Sequence, residues 1–388
     1  MSEWKEYKFS DFVDINPSVK IPKGIPVPFV EMKDLDNSIR YCGSSQEKEL
    51  SGGSRFMNGD TLFARITPCL ENGKICQVRN LRNGYGFGST EFHVFRGKDD
   101  ISDKDFVYYL SRWDEVRDFA EHNLEGSSGR QRVSKEAFDN LYLTLPPLDI
   151  QRRIASILTS LDDKIDLLRR ENATLEAMAE TLFRQWFVVE AKEDWEEKPL
   201  SFFGRIVCGK TPPKKESKYF GGGIPFIKIP DMHKKTFVFD SEDSLTEEGK
   251  LYQLDKTLPP FSIIVSCIAT VGLVVLNARE AQTNQQINSI IPYKDEYRYY
   301  LYFHVKNLYD ELNAMASGGT ATLNLNTSNF SKIPICYPGV DMLIEFHKQV
   351  KGVFEKIYYN QKQINTLIRT RDGLLPRLMG GEIDYFYE

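Results

Sequence analysis

No two cysteines in this sequence are spaced as CxxC; the six (Cys42, Cys69, Cys76, Cys208, Cys267 and Cys336) are scattered over 388 residues. That spacing excludes a dense disulfide framework and a thiolate zinc site, and it fits a reducing compartment. The five histidines (His93, His122, His233, His304 and His347) form neither HxxxH nor HExxH, so the spacing of a metal centre is missing too. Charge of either sign is nearly balanced, with a mild acidic surplus: 50 basic side chains stand against 55 acidic ones, a net charge of −5. Bulk attraction to a polyanion is thereby excluded, though a local basic face is not. The hydrophobic fraction of 41% and charged fraction of 27% exclude disordered and fibrous classes and leave room for two or three domains. The opening MSEWKEYKFS has no apolar run and predicts no signal peptide. Residues Thr257 to Ala278 carry no charge, but their Pro-Pro start and β-branched content predict two buried strands around a turn, not a spanning helix. No membrane association is expected, and the expected location is the cytoplasm.

Catalytic signatures are equally sparse. The glycine clusters Phe220-Gly221-Gly222-Gly223 and Gly86-Phe87-Gly88 do not link a strand to a helix as a nucleotide loop does. Leu258-Pro259-Pro260-Phe261 lacks the Asn or Asp that opens an amino-methyltransferase box. Glu31-Met32-Lys33 has the ExK form of a metal-dependent nuclease, but the matched position in the second half is Lys228. No catalytic residue, cofactor site or metal site is expected in this chain.

What is present is a repeat. Trp4-Lys5-Glu6 returns as Trp195-Glu196-Glu197, and Tyr108-Tyr109-Leu110 as Tyr299-Tyr300-Leu301, both at an offset of 191. Gly126, Phe138, Pro146 and Asp149 match Gly318, Phe330, Pro338 and Asp341 at 192. Pro28 to Leu35 runs parallel to Pro225 to Met232, and Gly88-Ser89-Thr90-Glu91-Phe92 lies where the second half has Thr283-Asn284-Gln285-Gln286-Ile287. The unit is half the chain, far beyond solenoid periods. Within each half, short alternating apolar runs broken by turn residues predict a strand-rich α+β domain, here 1–148 and 193–340.

Each mixed domain leads into a long helix, 149–192 and 341–388, with Asp149 and Asp341 as N-caps. Leu158, Leu161, Ile165, Leu168, Asn172, Leu175, Ala179, Leu182 and Trp186 step by three and four residues. Val350, Val353, Ile357, Asn360, Ile364, Leu367, Arg371, Leu374 and Leu378 repeat the pattern 192 residues later. Two seams of one heptad phase ask for a partner helix, and each supplies it for the other. Antiparallel pairing is favoured, because it relates the two halves by a pseudo-two-fold axis. A helix from Asp149 to Val188 spans roughly 60 Å at 1.5 Å per residue.

The binding signals lie in loops. Gly126-Ser127-Ser128-Gly129-Arg130-Gln131-Arg132 combines flexible backbone, hydroxyls, an amide and two guanidiniums, groups that contact phosphates and purine edges. Its counterpart, Ser317 to Asn324, is polar but uncharged and includes Thr320 and Thr322. Candidate DNA contacts in the first half are Arg65, Lys74, Ser127, Ser128, Arg130, Gln131 and Arg132. In the second half they are Lys210, Thr211, Lys214, Lys215, Lys228, Gln285, Thr320 and Thr322. Neither mixed domain is basic overall, with 20 basic to 23 acidic residues in 1–148 and 16 to 17 in 193–340, so any such face is local.

The run Leu145-Pro146-Pro147-Leu148-Asp149-Ile150-Gln151-Arg152-Arg153-Ile154, the ending Leu374-Leu375-Pro376-Arg377-Leu378-Met379-Gly380-Gly381-Glu382-Ile383 and the duplicated layout resemble the specificity subunit of type I restriction-modification systems. The second copy departs at Gly339-Val340-Asp341, which lacks the second Pro and the Gln. The resemblance implies two target-recognition domains on an antiparallel helical spacer, reading the two halves of a gapped double-stranded DNA target. It implies no active site here. It implies docking of two methyltransferase subunits that bind S-adenosylmethionine, and of restriction subunits that use ATP and Mg. The alternative is a coiled-coil adaptor bridging protein partners without reading DNA.

Overall fold

A computed structural model describes residues 4–127, 129–316 and 324–382. The chain divides into two compact units, Met1–Leu167 with Asn365–Glu388, and Leu168–Ile364. Each unit holds one mixed half and a stretch of both long helices.

In the first unit, strands β1 (Val13–Ile15), β2 (Tyr41–Cys42), β3 (Thr61–Ala64), β4 (Ile75–Val78) and β5 (Phe92–Gly97) form a sheet ordered β1-β5-β3-β4-β2. All neighbours are antiparallel except β2 and β4. Every residue of β3 and β4 is buried, because the helix Lys104–Arg112 packs across these strands. That helix starts where the Asp103 side chain accepts hydrogen bonds from the Asp105 and Phe106 amides. It turns Phe106, Tyr108 and Tyr109 into a core shared with Phe9, Phe12, Phe63, Phe95 and Phe138.

The second unit repeats the plan. Strands β6 (Gly204–Cys208), β7 (Phe237–Val238), β8 (Ile263–Ser266), β9 (Val274–Asn277) and β10 (Ile287–Pro292) are ordered β6-β10-β8-β9-β7, again with one parallel pair, β7 and β9. The duplication read from the offsets is thus one sheet topology built twice. The uncharged stretch Thr257 to Ala278 contributes β8 and β9, antiparallel neighbours with Ile263 opposite Leu276. Among the described residues, no helix is long and apolar enough to cross a membrane.

Both halves close the same way. Lys5–Lys8 pairs with Tyr142–Leu145, and Glu196–Pro199 with Pro334–Tyr337, so the end of each mixed half lies beside its beginning. The chain then enters helices α1 (Leu148–Arg184) and α2 (Val340–Met379). Asp149 and Asp341 lie inside the first turn and are not caps. In α1 the Gln151 amide already donates to the Pro147 carbonyl at 3.0 Å, which starts the helical ladder earlier. Their carboxylates still face the positive end of the helix dipole. After Arg184, α1 relaxes into a π-turn, Gln185–Val189.

Within each unit the two helices run antiparallel. In the first unit, Leu158 and Ile165 of α1 and Leu378 of α2 are buried, with Leu161, Leu367 and Leu374 half-buried. Arg371, a charged residue on the seam, is buried against Asp162 at 2.6 Å. In the second unit Leu168, Ala179, Val350, Ile357 and Ile364 are buried, while Leu175, Leu182, Trp186 and Val353 are half-buried. The two seam asparagines meet there: the Asn360 amide donates to Asn172 Oδ1 at 2.9 Å. An amide pair that satisfies itself only when these two positions face each other fixes helix register.

Candidate nucleic-acid interface

At one end of the first sheet, β3 finishes while β4 and β5 begin. Arg65 follows β3, Lys74 precedes β4, and Glu91 precedes β5. The Ala64 amide donates to the Lys74 carbonyl at 3.1 Å and the Arg65 amide to the Glu91 carbonyl at 3.0 Å, holding the three positions side by side. The loop that carries Ser127, Arg130, Gln131 and Arg132 is fastened to the same edge by backbone. Val133 donates to the Arg65 carbonyl at 2.9 Å and Thr67 to the Gln131 carbonyl at 3.0 Å, with a bridge between Ile66 and Arg132. Gly126 and Gly129 sit at φ +114° and +81°, conformations a side chain would strain, which accounts for the glycines of the loop.

Six candidates of the first half therefore converge: Arg65, Lys74, Ser127, Arg130, Gln131 and Arg132. Ser127 and Arg130 are exposed. The Lys74 ammonium donates to the Met32 carbonyl at 2.9 Å. Arg65 Nε is buried and, among the described residues, has no hydrogen-bond partner. Arg132 grips Glu91 with two nitrogens, Nη2 to Oε1 at 2.6 Å and Nε to Oε2 at 2.9 Å. Those bonds hold the Glu91 carboxyl below its usual range against the opposing effect of burial.

The second sheet ends identically in backbone and differently in side chain. Cys267 donates to the Gln286 carbonyl at 2.9 Å, Leu325 donates to the Cys267 carbonyl at 2.8 Å, and Ile268 bridges Asn324. Cys267, Gln286 and Asn324 thus occupy the places of Arg65, Glu91 and Arg132. Lys210 and Thr211 arrive alongside: the Lys210 amide donates to the Thr283 carbonyl at 3.0 Å, and the Thr211 hydroxyl to Gln285 Oε1 at 2.7 Å. This approach needs Gly209, where a Cβ would lie 2.1 Å from the Asn284 carbonyl oxygen. Lys214 and Lys215 stand apart, exposed on the following turn, with no ion pair among the described residues. Ser128, Thr320 and Thr322 lie outside the described residues.

A second matched position carries opposite charges. Glu31 and Lys228 each open the same turn, their amides donating to Asp34 at 2.7 Å and Asp231 at 2.8 Å. Glu31 is flanked by Lys33 and Lys48, which pull its carboxyl down to about 2. Lys228 instead pairs with Asp243.

Behind the first candidate interface lies His93, fully buried on β5. Its Nε2 meets the Val133 carbonyl at 2.9 Å, so Nε2 carries the proton, and Nδ1 accepts from the Asn16 amide at 3.2 Å. Burial pushes its pKa down from 6.5 to about 4. Because the folded value is the lower one, the unfolded chain takes up this proton first and stability falls as pH drops through that window. Unfolding in denaturant at pH 7 and pH 4.5 should show a loss of about 2–3 kcal/mol from this group. A His93→Gln variant should lack that share; equal losses in both proteins would exclude His93 as the source.

One family model matches the chain twice, with one mixed half in each match. The family model for the type I restriction modification DNA specificity domain matches residues 1–177 and again 192–353. The chain belongs to this family. It is 34% identical to the type I restriction enzyme HindI specificity subunit of Haemophilus influenzae, across 99% of this chain and 100% of that one. It is 25% identical to the MjaIX specificity subunit of Methanocaldococcus jannaschii, across 98% and 94%. A solved structure, the type I restriction-modification S subunit from M. genitalium, covers 97% of this chain with a TM-score of 0.55 at 16% identity and shares the fold.

For this member of the specificity family, sequence reasoning missed Glu91, the partner that fixes Arg132, and Gln286, its counterpart. The signal was present in the matched segments 88–92 and 283–287, where an acid faces an amide at one position. It also missed Phe183, Phe187, Phe346 and Phe354, buried outside the predicted seam because in the second unit both helices also pack on the second mixed half.

Proposed function

We propose that this chain is the non-catalytic DNA-recognition subunit of a type I restriction-modification complex, each unit reading one half of a bipartite, gapped target. The observation that carries the proposal is one backbone frame built twice with unlike side chains, Arg65–Glu91–Arg132 in one unit and Cys267–Gln286–Asn324 in the other. Equal frames with unequal chemistry give two different half-sites. The paired helices set the length of the gap, and they dock two methyltransferase subunits. S-adenosylmethionine, ATP and Mg then belong to the methyltransferase and restriction partners.

Methylome sequencing of a host carrying this chain and its methyltransferase partner should reveal one interrupted motif with two unlike halves. A continuous palindrome, or no motif dependent on this chain, would overturn the proposal. Binding by the purified complex should weaken steeply with salt, log K falling by about 0.9 per phosphate contact for each unit of log [salt]. Salt-insensitive association would point instead to a protein-bridging role.

A further inference from the structure

Three arginines of the first unit pair with acidic side chains, and they differ in where that pairing leaves them. Arg40 spends its guanidinium on Gln77, Tyr109, Thr159 and Asp105. Arg96 is locked to Asp60, which is 2% exposed, and both belong to the scaffold. Arg132 is different. Its side chain is 41% exposed at the sheet end, and Glu91 holds it along one side through Nε and Nη2. Nη1 adds one bond, to the Arg130 carbonyl at 3.2 Å. A guanidinium has five N–H donors. Nε–H, one hydrogen of Nη2 and one of Nη1 are thus engaged, and one hydrogen on each terminal nitrogen remains. Glu91 occupies the side-on edge, Nε with Nη2, and so leaves outside its grip the end-on edge between the terminal nitrogens, the edge that fits the paired O6 and N7 acceptors of guanine in the major groove.

We infer that Arg132, aimed by Glu91, reads a guanine in the half-site of the first unit. The inference rests on the DNA-recognition role proposed above and goes beyond it by assigning one residue to one base. Pre-organisation is the reason this arginine suits the task. A free arginine loses rotamer freedom on docking, whereas Arg132 is already held in plane by a carboxylate and a carbonyl. In the second unit the equivalent pair, Asn324 and Gln286, has no guanidinium. The second half-site is therefore read without this contact.

The test uses the chain assembled with its methyltransferase partner and duplexes carrying the target found by methylome sequencing. Each guanine is replaced in turn by 7-deazaguanine, which lacks the N7 acceptor. At one position, in one half-site only, the unaltered complex should lose about tenfold in affinity, part of the five- to hundredfold worth of a bidentate arginine–guanine contact. Arg132→Lys keeps a positive charge beside Glu91 but has no fork. It should bind the unmodified target about tenfold or more weakly and be indifferent to deaza substitution at that position. Its sensitivity to every guanine of the other half-site should match that of the unaltered complex, which also shows that it is folded. The first arm needs no mutant, so a variant that fails to assemble leaves the inference testable. If no guanine of either half-site is sensitive, or if Arg132→Lys retains the sensitivity, the inference is overturned. If the complex has no split target at all, it is the recognition role that fails.

Discussion

Asp162→Ala is expected to lower the unfolding free energy of the first unit by about 3–5 kcal/mol. Asp162 of α1 and Arg371 of α2 form an ion pair whose side chains are 3% and 5% exposed. Asp162 also accepts the Tyr109 hydroxyl at 2.7 Å, and that hydroxyl accepts from Arg40. Removing the carboxylate takes the acceptor from the Tyr109 hydroxyl and leaves the buried Arg371 guanidinium with Asp372, whose carboxylate is half-exposed. The loss is then set by the desolvated charge left behind, not by the modest net worth of the pair. On heating, the midpoint should fall by roughly 6–20 °C. The double variant Asp162→Leu with Arg371→Leu removes both charges and should be far less destabilised than the single one. If the single and double variants unfold alike, the buried charge is not the cause.

In the second unit the matching experiment is Glu176→Ala, with an expected loss of about 3 kcal/mol. Glu176 of α1 is a three-way acceptor. The Tyr302 hydroxyl reaches Oε1 at 2.6 Å, the Lys306 ammonium reaches the same oxygen at 2.7 Å, and the Thr236 hydroxyl reaches Oε2 at 2.7 Å. Burial alone would raise its pKa. The Lys306 charge, with bonds from Lys306, Tyr302 and Thr236, outweighs burial and leaves it lowered. A carboxyl lowered in the fold stabilises above its unfolded pKa, and that contribution is lost as pH falls through the folded value. The stability difference between Glu176→Ala and the parent protein should accordingly shrink on acidification below about 4.5. A difference that stays constant into that range would show that packing, not the carboxylate, carries the effect.

The two-fold plan was legible because it resides in repeated pattern: offsets of 191 and 192, strand alternation and a heptad seam. These are local or periodic signals, and periodicity survives large changes in side chain. The Asn172–Asn360 pair shows the limit. Both residues were visible as interruptions of the seams, but only antiparallel packing brings positions 188 residues apart into one hydrogen bond. Arg371 was less legible still. It was one of the seam positions, and its partner Asp162 lies one residue off the opposite seam, on a flank where coiled-coil ion pairs form but where only the antiparallel fold picks the partner. The candidate interface was half legible. Loop composition singled out Arg130, Gln131 and Arg132, and the fold gathers them with Arg65 and Lys74. Composition alone could not supply Glu91, because that pairing depends on β5 starting where β3 ends.

The discontinuity of the first unit bears on how the protein is made. The second unit, Leu168–Ile364, is one unbroken stretch of chain interrupting the first, so the first cannot be completed until synthesis passes Asn365. Asp162 and Arg371 are 209 residues apart. At 5–20 residues per second, the carboxylate leaves the ribosome about 10–40 s before the guanidinium that neutralises it. The interrupting unit can finish folding during that wait, while Asp162 in the earlier-made segment is without the guanidinium it meets in the finished fold. A nascent chain truncated before Arg371 would carry the whole first mixed half and still lack the charge that lets it close.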